Sequence, residues 1–286
     1  MKIGVSSYSF RKHILATKCD YIEICDKAKE MGFDGIEFIN LDNKEWGITD
    51  DALKTAREIK AHCAKIGLDI IAYTIGANFL CEDKEAEVKR LFHEIDVAEA
   101  LGAPLMRHDV CYKLPENPLY SWREAVVEMA PNIRRVTEYA KAKGIKTCTE
   151  NHGFIFQAPE RVEALIREVN SDNYGWLIDM GNFLCADADP VKAVETAARY
   201  AFHVHAKDFI FKSAVEGNPG GFFQTNGGNF LRGTVIGHGV VPVKNAINIL
   251  KRAGYDGYVS VEFEGLEECL DAIKAGREYL DSVING

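Results

Sequence analysis

The chain of 286 residues is first narrowed by what it does not contain. Its eight cysteines stand singly at positions 19, 25, 63, 81, 111, 148, 185 and 269, with no CxxC pair. Half of them fall inside helical or strand patterns, where a free thiol behaves as a small buried hydrophobe. Lys and Arg form no run, and the formal net charge of −9 disfavours a nucleic-acid backbone as partner, because such binding needs clustered cations. No stretch approaches the roughly 18 apolar residues of a membrane span. The opening residues Met1–Tyr8 go straight into strand alternation without the apolar segment of a signal peptide, so a reduced, cytoplasmic protein is expected. No GxGxxG follows that first strand, which counts against a doubly wound dinucleotide-binding sheet.

What is present is a regular rhythm. Hydrophobic residues make up 47% and charged residues 27%, enough to bury a sizeable core. Gly32, Gly67, Gly102 and Gly144 each close an amphipathic pattern and precede a short strand, as expected of residues that follow a helix in left-handed conformation. The junction around Gly32-Phe-Asp-Gly35 returns as Gly254-Tyr-Asp-Gly257, marking a repeated βα unit. Strands are expected near 2–8, 34–39, 68–74, 104–108, 145–150, 174–179, 201–206 and 257–263. Helices are expected near 20–31, 50–66, 84–101, 121–143, 159–169, 190–199, 242–253 and 265–284, the last carrying Leu266, Cys269, Leu270, Ile273 and Leu280 at helical spacing. Strict alternation of eight and eight predicts a single (β/α)8 TIM barrel over residues 1–286. One segment breaks the rhythm: 208–241 is Gly-rich, lacks a helical pattern, and is far longer than the usual ~2–6-residue βα loop. Its place after strand 7 predicts a lid over the barrel mouth. Of its two lysine and arginine side chains, Arg232 is the candidate to face a substrate oxygen or a mouth carboxylate.

Four strand patterns end on a metal-liking residue: Ile145–Glu150, Tyr174–Asp179, Phe202–His205 and Tyr258–Glu262. In βα proteins the carboxyl ends of the strands are where active sites form. Two Glu, one Asp and one His converging there make an oxygen-rich site suited to one Mn²⁺, Mg²⁺ or Co²⁺; Zn²⁺ is less natural without a cysteine. Alternation puts His203, His205 and Lys207 on one face, with His203 deeper and bonded to a neighbour, and Lys207 at the rim. His152 shares the face of Glu150, as a substrate contact or second base. Glu37 is expected either on a sugar hydroxyl or paired with Arg107. Arg107 and His108 end strand 4 as candidate substrate contacts, with a salt-bridged Arg107 as the alternative, and Trp46 could stack on a sugar ring or pack on the barrel top.

The segments Thr149–His152, Ile178–Asn182, His203–Asp208, Val235–Gly239 and Gly257–Glu262 together resemble the xylose-isomerase-like barrel superfamily, which includes ketose 3-epimerases, hydroxypyruvate isomerases and inosose dehydratases. The resemblance spans the chain and implies Glu150, Asp179, His205 and Glu262 as metal ligands, with Glu150 and Glu262 as the acid–base pair. It also implies a small carbohydrate substrate, no nucleic-acid or membrane partner, and a homo-oligomer. Asn182 stands where the ketose 3-epimerases carry a substrate-binding His, so it is a substrate-contact candidate. Phe156 and Phe211 replace a Glu and an Arg of that group. The implied activity is isomerisation or epimerisation of a sugar or polyol ketone through an enediolate. The alternative is a lyase on the same barrel, by dehydration or cleavage of a keto-glycoside.

Overall fold

Strand alternation and helix-ending glycines set the architecture that the computed structural model shows over residues 1–42, 46 and 51–286. Seven strands come first: β1 (Lys2–Ser6), β2 (Gly35–Ile39), β3 (Asp69–Ile75), β4 (Leu105–His108), β5 (Lys146–Glu150), β6 (Tyr174–Asp179) and β7 (Ala201–Ala206). Three short strands, β8 (Asp208–Lys212), β9 (Phe223–Gln224) and β10 (Phe230–Thr234), then leave the barrel, before β11 (Tyr258–Val261) returns. β11 pairs in parallel with both β7 and β1, closing an eight-stranded parallel barrel. Around it lie α1 (Arg11–Thr17), α2 (Tyr21–Glu30), α3 (Ala52–Ile66), α4 (Lys84–Leu101), α5 (Trp122–Ala142), α6 (Pro159–Val169), α7 (Pro190–Ala197), α8 (Val243–Arg252) and α9 (Cys269–Asn285). The expected TIM barrel is the observed fold. None of the described helices is long and apolar enough to cross a membrane.

The four punctuating glycines all have positive φ, between 67° and 83°. Inside the barrel, the floor is apolar: Ile71, Leu105, Cys148 and Leu177 are buried together, with Phe202 and Tyr258 packed against them. Two glycines make room for that plug. A Cβ on Gly4 would lie 2.3 Å from the Ile71 side chain, and one on Gly175 would lie 2.6 Å from the Phe202 ring. The larger apolar layer sits between the strands and the helices.

Several boundaries differ from the sequence expectation, each for a local reason. The first strand stops at Ser6, whose hydroxyl accepts from the Tyr8 amide and starts a 3-10 turn at Ser7–Phe10 that runs into α1, a helix the pattern did not announce. The third helix was expected from residue 50, which lies outside the described residues; it is seen from Ala52, with the Asp51 side chain capping the Lys54 amide. The last helix begins at Cys269, where Glu268 caps Asp271, so Leu266 falls in the preceding loop and is 64% exposed.

The long excursion is not an irregular loop. β8, β10 and β9 form an antiparallel sheet with Phe230 opposite Lys212 and Thr234 opposite Asp208. The Asp187 carboxylate anchors it by accepting from Thr225 Oγ1 (2.8 Å) and Asn229 Nδ2 (2.7 Å), while Thr234 Oγ1 donates to Glu267 (2.7 Å). Its return is organised by Asp208, whose carboxylate accepts from the amides of Phe209, Gly237, Gly239 and Val241 at 2.8–3.0 Å.

Asp208→Ala would strand four amides that share one largely buried carboxylate. A loss of roughly 2–4 kcal/mol is expected, read as a drop of roughly 5 °C or more in Tm. Hydrogen exchange should accelerate at 235–241, and unchanged exchange there would show that the return segment holds without this carboxylate.

Candidate active site and metal centre

Each candidate side chain reaches the mouth because odd and even strand positions face opposite sides of the barrel. Register places Asp179 beside His205 and Ser260 beside His205, and it aligns Glu150 with Leu177, two residues before Asp179 on β6. Glu262 follows the last paired residue of β11, and its amide donates to Ala206 O at 3.0 Å. One ligand atom from each of Glu150, Asp179, His205 and Glu262 lies within 4.8 Å of the others, and all four residues are buried. Asp179 Oδ2, His205 Nδ1 and Glu262 Oε2 are buried, and their near neighbours are the cluster's own charged groups: His205 Nδ1 lies 3.2 Å from Glu262 Oε2, and Lys207 Nζ lies against both carboxylate oxygens. Three carboxylates and an imidazole that bring buried ligand atoms to a common point fit a bound cation. The cluster can hold a metal ion.

Around the quartet the structure fixes each member. Glu150 is held from both sides: Asn182 Nδ2 donates to Oε1 (2.9 Å), and the Arg107 guanidinium lies 2.7 Å from Oε2. Asn151 faces away from the barrel axis but ties β5 to β6, accepting from Trp176 Nε1 and the Asp179 amide and donating to Asp179 O. Glu37 crosses the barrel interior to reach both histidines, with Oε1 2.6 Å from His205 Nε2 and Oε2 2.7 Å from His203 Nε2. This engages Nε2 of His205 and leaves Nδ1 toward the other carboxylates, the carboxylate–histidine arrangement that orients metal-binding imidazoles. His203 also contacts Ser260 Oγ at 3.1 Å and lies deeper, as alternation implied.

Lys207 is not a rim lysine. It is 5% exposed, with Nζ 2.8 Å from Glu262 Oε2, 3.3 Å from Asp179 Oδ2 and 3.5 Å from Glu264 Oε2. The charge balance is visible in the protonation preferences. Burial, with Glu262 and Glu150 adding to it, pushes the Asp179 carboxyl up to about 7 against the pull of Lys207. Burial opposes charge on Glu262 too, but Lys207 and His205 more than offset it and hold that carboxyl well below its usual range. Burial also opposes a charged His205, and Glu37 and Glu262 overcome it, so that imidazole is pushed well above its ordinary value.

At the outer edge, Arg107 also pairs with Asp109 (2.9 Å), and the half-exposed His152 ring lies 3.0 Å from Asp109 through Nδ1. Burial notwithstanding, Arg107 and His152 lower the Asp109 carboxyl to about 2. A cavity of about 240 Å³ opens above the quartet, bordered by Thr74, Arg107, Glu150, His152, Lys207 and Glu262 among others.

Some expectations need correction. Glu37 pairs with two histidines, not with Arg107, because it points across the interior at β7. His108 faces outward, since Arg107 takes the inward position. Its ring is fully buried between Phe79 and Tyr174, and burial lowers it to about 4. Trp46 is 2% exposed and packs on Tyr21, away from the mouth cavity. Arg232 stacks over Phe222 at 5.0 Å, and no residue of 208–241 borders that cavity. Conversely Asp109, Tyr8 and Glu264 shape the mouth and were not singled out as candidates. Glu264 had a signal, two residues beyond Glu262 on the same alternation face.

Comparison with known proteins agrees with this architecture. The model of the xylose isomerase-like TIM barrel family matches residues 25–283. An inosose dehydratase of Histophilus somni (strain 129Pt) is 24% identical over 238 residues, covering 76% of this chain and 78% of that protein. Among solved structures, a protein named IOLI with a bound zinc atom superposes with a TM-score of 0.76 at 17% identity, covering 100% of this chain and 98% of that one. An L-ribulose 3-epimerase superposes with a TM-score of 0.72 at 19% identity, covering 99% and 94%.

Two measurements test the centre. Glu37→Gln should weaken Mn²⁺ or Co²⁺ binding about 10–100-fold, the usual cost of losing a partner behind a ligating histidine; calorimetry giving wild-type affinity would remove Glu37 from that role. Ion uptake should also release protons. His205 is protonated before binding because its value is raised, whereas coordination needs the bare nitrogen. Affinity should therefore fall as pH drops and rise as pH climbs toward the raised value, and the apparent binding enthalpy should depend on the buffer's ionisation enthalpy. Buffer-independent enthalpies near neutral pH would contradict this.

Proposed function

The chain belongs to the xylose isomerase-like TIM barrel family, a family of enzymes, and from that premise we propose that it is a divalent-metal-dependent isomerase or epimerase of a sugar or polyol ketone. The observation that carries the proposal is the set of three carboxylates and one imidazole, buried with their ligand atoms within 4.8 Å of one another beneath a polar cavity. Glu150, Asp179, His205 and Glu262 would hold the ion. An ion of the Mn²⁺, Mg²⁺ or Co²⁺ kind, with Zn²⁺ as the less natural choice, would polarise the substrate carbonyl and its neighbouring hydroxyl, lowering the cost of an enediolate.

The protein's own groups do the rest. Glu150 and Glu262 come from β5 and from the end of β11, on different sides of the quartet. One carboxylate can take the proton next to the carbonyl, and the other can return one from its own side. Arg107 and Asn182 hold Glu150 in place, and Lys207, with His205, keeps Glu262 ionised against burial. With Lys207 drawn toward substrate, its ammonium would face a developing oxyanion. His152, backed by Asp109, stands at the edge of the cavity within reach of a substrate hydroxyl.

A second reading is favoured by that same edge. Lys207 and His152 stand next to the reacting centre, and Asp109 raises the His152 imidazole against burial, which suits both to protonating a departing oxygen. An enolate flanked by them could expel a β-substituent instead of being reprotonated, which would make the enzyme a lyase. The similarity to an inosose dehydratase supports keeping this reading.

The deciding experiment incubates metal-loaded protein with ketoses, inososes and 3-keto-glycosides in D₂O. Deuterium in recovered sugar would mark isomerisation or epimerisation; an unsaturated or cleaved product would mark a lyase. No reaction before or after chelation and reloading would reject the reading. Glu150→Gln and Glu262→Gln should each lower turnover by ~10²–10⁴, with ion binding kept in at least one. Turnover within a few-fold of wild type in either variant would remove that residue from the acid–base pair.

A further inference from the structure

A second cavity, about 200 Å³, adjoins the one above the quartet. The two share Tyr8 and Glu264, whose side chains meet at 3.0 Å from Tyr8 Oη to Glu264 Oε1. Its other walls include Ser9, Lys12, Phe263 and Gly265, supplied by the turn after β1 and by the chain leaving β11. It therefore begins only one residue beyond Glu262. Drug-sized ligands occupy sites of roughly 300–1,000 Å³. Neither cavity reaches that range alone (about 240 and 200 Å³); joined, they do.

Their chemistry differs. The first cavity is walled by Arg107, Glu150, Lys207 and Glu262, polar groups suited to a polyol. The second offers two aromatic side chains, Tyr8 and Phe263, with the Arg11 side chain on its wall and one ammonium at its edge. Lys12 Nζ donates to Gly265 O at 2.6 Å, which holds the ammonium at the entrance with further N–H groups to give. Glu264 stands at the junction, and its carboxylate disfavours an anion crossing from one cavity to the other.

We propose that the second cavity is a subsite for an aromatic or similarly flat substituent carrying hydrogen-bond acceptors, so that the substrate is a sugar extended at one position and not a free monosaccharide. The inference rests on the sugar-ketone reading of the first cavity and adds the class of its substituent. The sugar lies over the quartet. The substituent passes Tyr8 and Glu264, lies along the walls that Tyr8 and Phe263 supply, and meets Lys12 at its far end. Tyr8 and Glu264 thereby become the residues that align the bond between the two parts of the substrate beside Glu262.

The test uses metal-loaded Glu150→Gln protein, to prevent turnover, and three probes: 4-nitrophenyl β-D-glucopyranoside, methyl β-D-glucopyranoside and 4-nitrophenol. The aryl glycoside should bind roughly tenfold or more tightly than the methyl glycoside, as expected for an added aromatic contact. Adding Lys12→Trp, at an exposed position on the rim, should fill the subsite and abolish that preference while leaving methyl glycoside binding unchanged. Tyr8→Leu should also reduce the preference. Equal affinities for the two glycosides, or a preference untouched by Lys12→Trp, would overturn the subsite. Binding of 4-nitrophenol blocked by Lys12→Trp, with neither glycoside bound, would keep the subsite and sink the sugar reading. Failure of all three probes to bind would overturn both.

Discussion

Negative charge packed into a dry barrel mouth is the constraint on which the rest depends. Glu37, Glu150, Asp179 and Glu262 are all at most 9% exposed. Removing an ion from water costs several kcal/mol even after relaxation, so such a group persists only with close compensation. Arg107, Lys207 and His205 provide part of it from inside the same layer, at 2.6–3.3 Å. Burial, with Glu262 and Glu150 adding to it, still raises the Asp179 carboxyl against the pull of Lys207. A divalent ion would add positive charge at the point where the three carboxylates and the imidazole meet.

The barrel turns this constraint into geometry by division of labour between the two faces of each strand. Inward residues on β5, β6, β7 and beyond β11 form the charged layer, above a floor of Ile71, Leu105, Cys148 and Leu177 that keeps water out from below. Outward residues set the spacing. Asn151 does this by tying the β6 backbone at Asp179 to β5, so the distance between Glu150 and Asp179 is not left to side-chain freedom. Glu37 braces the same layer from across the interior, holding both His203 and His205 from β2. Asp109 links Arg107 to His152, so the support of Glu150 and the furniture of the mouth share one carboxylate.

How much of this was legible in the sequence follows from which interactions are periodic and which are not. The barrel was legible because apolar alternation and glycine stops repeat with each βα unit, and the convergence of Glu150, Asp179, His205 and Glu262 follows from their common place at strand ends. His203 below His205 followed from the two-residue period. Contacts across the barrel have no sequence period, so the partners of Glu37 and the role of Asp109 could not be read. The inward or outward sense of Arg107 and His108 depended on the register of a four-residue strand, too short to fix by pattern. The excursion carried a compositional signal in its glycines, but antiparallel pairing of β8 with β10 depends on a return that composition does not encode. Arg232 was judged by charge alone, and its guanidinium found a ring instead.

The same layout separates what the ion-binding set decides from what the mouth decides. Making an enolate requires a polarised carbonyl and a positioned carboxylate, and the quartet with its braces would provide both whatever the substrate. The fate of that enolate depends on the groups around it. Return of a proton needs a second carboxylate with access to the carbon, whereas expulsion of a substituent needs an acid beside the departing atom and room for the group to leave. Lys207 lies against Glu262, His152 stands with Asp109 at the cavity edge, and the compartment behind Tyr8 and Glu264 opens one residue further along the chain. These groups lie outside the ion-binding set, so they can vary while the quartet stays fixed. A barrel of this kind can therefore keep one metal centre and change its reaction by changing the residues at its mouth.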